Sequence, residues 1–291
     1  MAEVTPFRGG LPRALLVLGR VSNLPTVWSN CLAGWWLAGA GSFPLLLTVM
    51  TGGSLLYVGG MYLNDAFDAE FDRQHRQERP IPSGIITTRK VWMLGILWLV
   101  LGLLCVATRG FSSTLLALLL IGAILIYDSL HKLVTFSPVL MALCRFLLLL
   151  LAATFGDFGI TGLVLWSAWV MAGYVIGLSY LARRESTLGA FGFWPLAPLA
   201  APVLLALIVN VGEFRNSALA LSVLLGLWVT KCIVPLWTLR PPNIGHAVSG
   251  LLAGICLVDL VSVADAPKPI AFTFLAFFGL SLLAQRLIPA T

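Results

Sequence analysis

The sequence predicts an all-α, polytopic transmembrane helical bundle, folded as a single domain over residues 1–291. Three observations predict it: 59% of the residues are hydrophobic, only 10% are charged, and the apolar residues gather into long runs. A water-soluble chain has about a quarter of its residues charged, so this one cannot cover itself for water and must place most of its surface in lipid. The mean hydropathy of +0.97 agrees, and no polar block or linker divides the chain.

Crossing ~30 Å of hydrocarbon takes ~20 mostly apolar residues in a helix. Runs of about that length fall at 22–40, 44–66, 90–108, 112–129, 136–155 and 161–182. Four more fall at 195–212, 217–238, 245–263 and 269–288, the seventh short enough to be re-entrant. Gly and Pro inside them are ordinary where neighbouring helices re-satisfy the backbone. The N-terminal stretch, MAEVTPFRGGLPR, carries no early apolar segment. The first helix, rather than a cleaved signal peptide, is therefore expected to direct insertion.

The basic residues set the orientation, because Lys and Arg collect in cytoplasmic loops. With a cytoplasmic N-terminus, Arg8, Arg13, Arg20, Arg73, Arg76, Arg79, Arg89, Lys90, Lys132, Arg183, Arg184, Arg240 and Arg286 lie inside. Arg109, Arg215 and Lys268 lie outside, and Arg145 and Lys231 fall within helices. The net charge of +6 is thus read as a topology signal and not as a nucleic-acid footprint. The five cysteines sit singly in apolar runs and read as packing residues.

The end of the second run reads Tyr62-Leu63-Asn64-Asp65-Ala66-Phe67-Asp68-Ala69-Glu70-Phe71-Asp72. Asn64, Asp68 and Asp72 are spaced i, i+4, i+8 and share one helix face. Like charges at that spacing repel, so something positive must offset them. A hard divalent cation is the usual answer, and Mg²⁺ prefers oxygen ligands, keeps waters and bridges to substrate phosphate. The plainer alternative is a solvated helix end balanced by Arg73, Arg76 and Arg79. Next comes Arg79-Pro80-Ile81-Pro82-Ser83-Gly84, a turn-rich connector in which Arg79 could clamp phosphate.

The stretch Asn64-Asp65-x-x-Asp68-x-x-x-Asp72 followed by Arg79-Pro80 to Gly84 resembles the first Asp-rich motif of the UbiA superfamily of intramembrane prenyltransferases. The opening Arg20-x-x-Asn23-x-Pro25-Thr26 and the segment Tyr127 to Lys132 are also similar to that family. The resemblance implies nine helices, against ten from the apolar runs, around a central cavity that opens at the cytoplasmic side. It implies Mg²⁺ as cofactor, held by Asn64, Asp68 and Asp72, and a prenyl diphosphate as substrate. Asp68, Asp72 and Lys132 become the catalytic candidates. Asn64, Arg79, Lys132, Arg145, Arg183 and Arg184 become the diphosphate-binding candidates.

A second Asp-rich motif is usual after the sixth helix in that family, but here the segment reads Tyr180-Leu-Ala-Arg183-Arg184-Glu185-Ser186-Thr187. Glu185 as a lone metal ligand, Arg183 and Arg184 binding the diphosphate directly, and a merely topological basic loop all remain open. The combination resembles the EboC-like group, bacterial members tied to secondary metabolism, which implies a multi-pass protein of the bacterial inner (plasma) membrane.

Three charges lie inside the apolar runs, away from the first residue and the last three residues of each. Arg145 is expected to face the central pocket or to pair with an acid such as Asp128. Asp259 is expected at the outer interface, with Lys231 pairing with it or snorkelling. The histidines show no metal spacing and receive no catalytic role. The reaction expected is transfer of an isoprenoid from a prenyl diphosphate to a lipophilic or aromatic acceptor within the lipid bilayer. A non-catalytic binder or carrier of an isoprenoid or pigment precursor is the alternative, and a transporter is disfavoured by the absence of an obvious inverted repeat.

Overall fold

The computed structural model describes residues 7, 9–183, 194, 196–204, 214–238 and 243–290. Apolar stretches in lipid must satisfy their backbone internally, and helices do this throughout. In order they are α1 (Leu11–Leu18), α2 (Leu24–Leu37), α3 (Phe43–Phe67), α4 (Ala69–His75), α5 (Thr88–Ala107), α6 (Phe111–Leu130) and α7 (Ser137–Ala153). There follow α8 (Gly162–Arg183), α9 (Leu196–Leu199), α10 (Phe214–Ile233), α11 (Pro235–Thr238), α12 (Ile244–Ser262) and α13 (Lys268–Leu287).

Among the described residues, seven helical stretches are long and apolar enough to cross a membrane; α2 and α7 are shorter apolar helices packed among them. These correspond to nine of the ten expected runs, with ends shifted by a few residues. The remaining run, 195–212, is described only as far as residue 204, where α9 and residues 201–204 are helical.

Local sequence explains several helix starts. Pro44 sits in the first turn of α3, where its missing N–H costs nothing. The Thr87 hydroxyl caps α5 by accepting from the Lys90 amide at 3.4 Å, and the Asn243 side chain caps α12 by accepting from the His246 amide at 2.9 Å. Large apolar side chains such as Leu104 on α5 and Leu118 on α6 are exposed on the outer surface, where a soluble protein would carry charge.

Helices α3 and α5 pack closely. Gly52 and Gly59 on α3 meet Gly95 and Gly102 on α5. A Cβ added at Gly59 would lie 2.9 Å from the Leu99 amide nitrogen, and one at Gly102 would lie 3.0 Å from the Gly52 carbonyl oxygen. Small residues allow this approach, and dispersion contacts between the backbones hold it. The pair fixes the end of α3, which carries the polar cluster. The Asn23 side-chain amide donates to the Ala290 carbonyl at 3.0 Å, so the chain beyond α13 returns to the face on which α2 begins.

The expectation for Asp259 is corrected, and of the two readings of Lys231 the pairing is dropped. Asp259 is fully buried rather than interfacial, because Ser29 and Asn30 of α2 donate to its carboxylate at 2.5 and 2.8 Å. Lys231 does not pair with it and lies over the Trp228 ring, 5.0 Å from the centroid.

Gly59→Val should destabilise the protein by about 1–3 kcal/mol through overpacking against α5. Gly122→Val, where an added Cβ meets nothing within 4 Å, should leave the thermal midpoint of the detergent-purified protein unchanged. Equal midpoints for the two variants would contradict the close-packed interface.

Candidate functional site

The helix breaks at Asp68, between α3 and α4, yet its register persists. The Asp68 amide donates to the Asn64 carbonyl at 3.0 Å and the Asp72 amide to the Asp68 carbonyl at 2.9 Å. Asn64, Asp68 and Asp72 therefore keep their shared face, and all three line a cavity of about 610 Å³. That volume lies within the range of small-molecule sites, roughly 300–1,000 Å³.

Basic side chains from three separate segments converge on these acids. Lys132, just beyond α6, sits 2.7 Å from Asp68 Oδ1, and its ammonium lies over the Phe71 ring at 3.9 Å. His131 Nε2 is 3.4 Å from the same oxygen. Arg79 Nη1 lies 3.0 Å from Asp65 Oδ1 and 3.4 Å from Asp72 Oδ2. Arg20 Nη2 donates to Asn64 Oδ1 at 3.1 Å and to Asp65 Oδ1 at 3.3 Å. Arg20 holds this pose from a left-handed backbone, φ 41° and ψ 47°, a conformation that costs a non-glycine residue roughly 1–2 kcal/mol.

Asn64 is thereby oriented. Its carbonyl faces Arg20, and its amide donates to Asp128 Oδ1 on α6 at 3.0 Å. The second oxygen of Asp128 is buried with no hydrogen-bond partner among the described residues. Burial opposes ionisation of Asp68, but hydrogen bonds from His131 and Lys132 outweigh it and hold its carboxyl below the usual range. At Asp72 burial prevails over the nearby Arg79, and the neighbouring Asp68 and Asp65 add to the upward shift. Adjacent carboxyls are thus pushed in opposite directions, as happens at functional sites.

The structure brings Asn64, Asp68, Asp72, Arg79 and Lys132 together as expected. It adds Arg20, Asp65, Asp128 and His131. The signal for the α6 group was present in the sequence: Asp128 and Lys132 are i, i+4, the same spacing that marked the acids. Arg183 also lines the cavity, and it donates to the Val134 and Thr135 carbonyls at 2.9 and 2.8 Å and to the Ser137 hydroxyl at 3.2 Å. Arg184 and Glu185 lie outside the described residues. Arg145 lines the cavity far from the acids and bonds to Asn30 and Thr26, not to Asp128.

Among the described residues no group of three or more His, Cys, Asp or Glu side chains converges tightly enough to cage a metal ion. Two carboxylates, an amide oxygen and the unpartnered Asp128 oxygen on one wall suit Mg²⁺ shared with phosphate oxygens and water, which is how that ion usually binds.

The sequence model of the UbiA prenyltransferase family matches residues 27–184, more than half of the chain. The chain is 35% identical over 74 residues to the digeranylgeranylglyceryl phosphate synthase of Metallosphaera sedula, covering 25% of this chain and 26% of that protein. It is 32% identical over 115 residues to the synthase of the same description from Methanothrix thermoacetophila, covering 39% and 43%. It is 29% identical over 109 residues to the protoheme IX farnesyltransferase of Bacillus pumilus, covering 35% and 36%. The matches thus span less than half the length of these curated relatives. Among solved structures, an apo UbiA homologue from Aeropyrum pernix superposes with a TM-score of 0.68 at 16% identity, over 86% of this chain and 98% of that one. A homologue from Archaeoglobus fulgidus bound to GPP and Mg²⁺ superposes with a TM-score of 0.60 at 14% identity, over 94% and 99%.

Arg183→Ala removes donors from three acceptors of the 134–137 segment. It should raise amide hydrogen exchange there at least several-fold, since hydrogen bonds to charged groups contribute about 1.5–3 kcal/mol. Unchanged exchange would mean that Arg183 does not hold this segment.

Proposed function

The chain belongs to the UbiA prenyltransferase family, and from that premise we propose that it is a Mg²⁺-dependent intramembrane prenyltransferase, one domain over residues 1–291, that moves an isoprenoid from a prenyl diphosphate to a lipophilic or aromatic acceptor. The observation that carries this reading is the convergence of Asn64, Asp68 and Asp72 with Arg79 and Lys132 on one cavity. Its other walls include Leu120, Ile124, Leu148 and Val175, suited to an isoprenoid tail. The GPP and Mg²⁺ reported for the Archaeoglobus fulgidus homologue agree with this choice of substrate class and ion.

Asn64, Asp68 and Asp72 would hold Mg²⁺, and the unpartnered oxygen of Asp128 is available to the same ion or to its waters. Bound there, the ion would supply positive charge against the leaving diphosphate. Lys132 and Arg79, now paired with Asp68 and with Asp65 and Asp72, would exchange those carboxylates for phosphate oxygens as substrate enters. The C–O bond breaks with its electrons going to diphosphate, the allylic cation is captured by the acceptor, and the acceptor loses a proton. Stabilising the leaving group is the main electrostatic task. The rings of Phe71, Tyr57 and Tyr127 on the cavity wall are placed to attract the cation through their faces.

The same proposal sets the N-terminus and this cluster on the cytoplasmic side of a bacterial plasma membrane, supported by the distribution of Lys and Arg, with a product of secondary metabolism. A second reading, a non-catalytic isoprenoid carrier, is favoured by Arg183, whose guanidinium is turned onto the 134–137 segment in place of the second acidic motif usual in the family.

Labelled geranylgeranyl diphosphate should bind detergent-purified protein only with Mg²⁺. Asp68→Ala should weaken binding by roughly a hundredfold or more, the scale of losing one preorganised electrostatic partner. Wild-type-like binding in that variant would remove the assignment. Release of diphosphate with a new prenylated product separates the transferase from the carrier.

A further inference from the structure

The acid cluster does not engage every charged group that lines the cavity. Arg145, on α7, is 8% exposed. Its Nη1 donates to Asn30 Oδ1 at 2.8 Å and its Nη2 to Thr26 Oγ1 at 2.9 Å. Asn30 relays the charge, because its amide nitrogen donates to Asp259 at 2.8 Å. An otherwise costly buried cation is thus balanced through one side chain by a buried anion. The arrangement also fixes the guanidinium plane, since α2 supplies both acceptors.

Position separates this group from the diphosphate. Its guanidinium carbon lies 5.8 Å from the Tyr57 ring centroid, and Tyr57 precedes Asn64, the nearest residue proposed to hold the ion, by seven residues, about 10 Å of helix at 1.5 Å per residue, and Asp68 by eleven. A diphosphate held by Asp68, Asp72 and Lys132 does not reach that far. Arginine carries five N–H donors in a rigid fork. Two nitrogens are committed to Thr26 and Asn30, and donors remain on a group that lines the cavity. An isoprenoid carbon placed against them would leave them unpaired, which is unfavourable in a desolvated site.

We infer that Arg145 forms a second recognition point: it receives an oxygen, best a carboxylate, at the end of the acceptor remote from the carbon being prenylated. This deepens the transferase reading and rests on it for the word acceptor. Asn30 and Asp259 act as positioning residues for the fork. The acceptor is then an amphipathic molecule with an apolar or aromatic body, a nucleophilic position near the acid cluster and an oxyanion or carbonyl at the opposite end.

The test uses three probes that share a biphenyl body: para-phenylbenzoate, para-phenylbenzyl alcohol and para-phenyltoluene. Each is titrated against the full-length protein in detergent, with geranylgeranyl diphosphate titrated separately. Wild type should bind the benzoate at least tenfold more tightly than the toluene, with the alcohol between. Arg145→Met should erase that order and leave Mg²⁺-dependent diphosphate binding within about twofold, a pattern that general unfolding cannot produce. Arg145→Lys should recover part of the preference, because it keeps the charge without the fork. Equal binding of the three probes by wild type overturns the inference whatever the variants do, as does a retained preference in a folded Arg145→Met. Failure of wild type to bind the diphosphate counts against the transferase reading instead and leaves the probe order to decide on the subsite.

Discussion

Repulsion among four carboxylates is the constraint around which this molecule is arranged. Asp65 and Asp128 lie near the ends of α3 and α6, Asp68 at the α3–α4 break and Asp72 on α4, and Asp65, Asp72 and Asp128 are buried. Lys132 and His131 answer Asp68, Arg79 bridges Asp65 and Asp72, and Arg20 reaches Asp65 and Asn64 from the turn before α2. These basic side chains come from three stretches of chain, so the cluster also ties those stretches together. Buried ion pairs gain little over apolar packing, so stability alone does not account for the cluster.

The apolar framework places this cluster. The glycine-lined approach of α3 to α5 sets where α3 ends, and the Arg183 contacts with Val134, Thr135 and Ser137 hold the segment following Lys132. Apart from that cluster, Asp259, Asn30 and Arg145 form a second polar centre, of which Arg145 lines the cavity, and there an amide joins the two charged side chains instead of direct contact. The two polar centres are thus built differently. In the first, charges pair directly and can be re-paired by a ligand; in the second, a neutral amide holds the charges apart.

The helices were legible because lipid leaves the chain few choices: an apolar run of the right length must form a helix, and its ends follow from polar residues and from caps such as Thr87 and Asn243. The acid face was legible because the i, i+4 spacing survives the break at Asp68. Tertiary partners were not. Nothing local to Asp259 says that Ser29 and Asn30 of α2 will bury it, and it read as interfacial from its place near a helix end. His131 was passed over because it was judged by metal spacing, whereas its relevance comes from standing beside Lys132 against Asp68. Asp65 was hidden by its neighbours, being one step off the face that the spacing picked out, yet two arginines meet on it.

The link from Asn23 to the Ala290 carbonyl has a consequence for biogenesis. Ala290 is buried and forms part of the cavity wall, and Gln285 reaches the same asparagine. The cavity therefore joins the first long helix to residues made more than 260 positions later. Synthesis proceeds from the N-terminus at roughly 5–20 residues per second, so a nascent chain holds its acid cluster for many seconds before that wall can close. During that interval the pocket lacks the part of its wall that Ala290 completes.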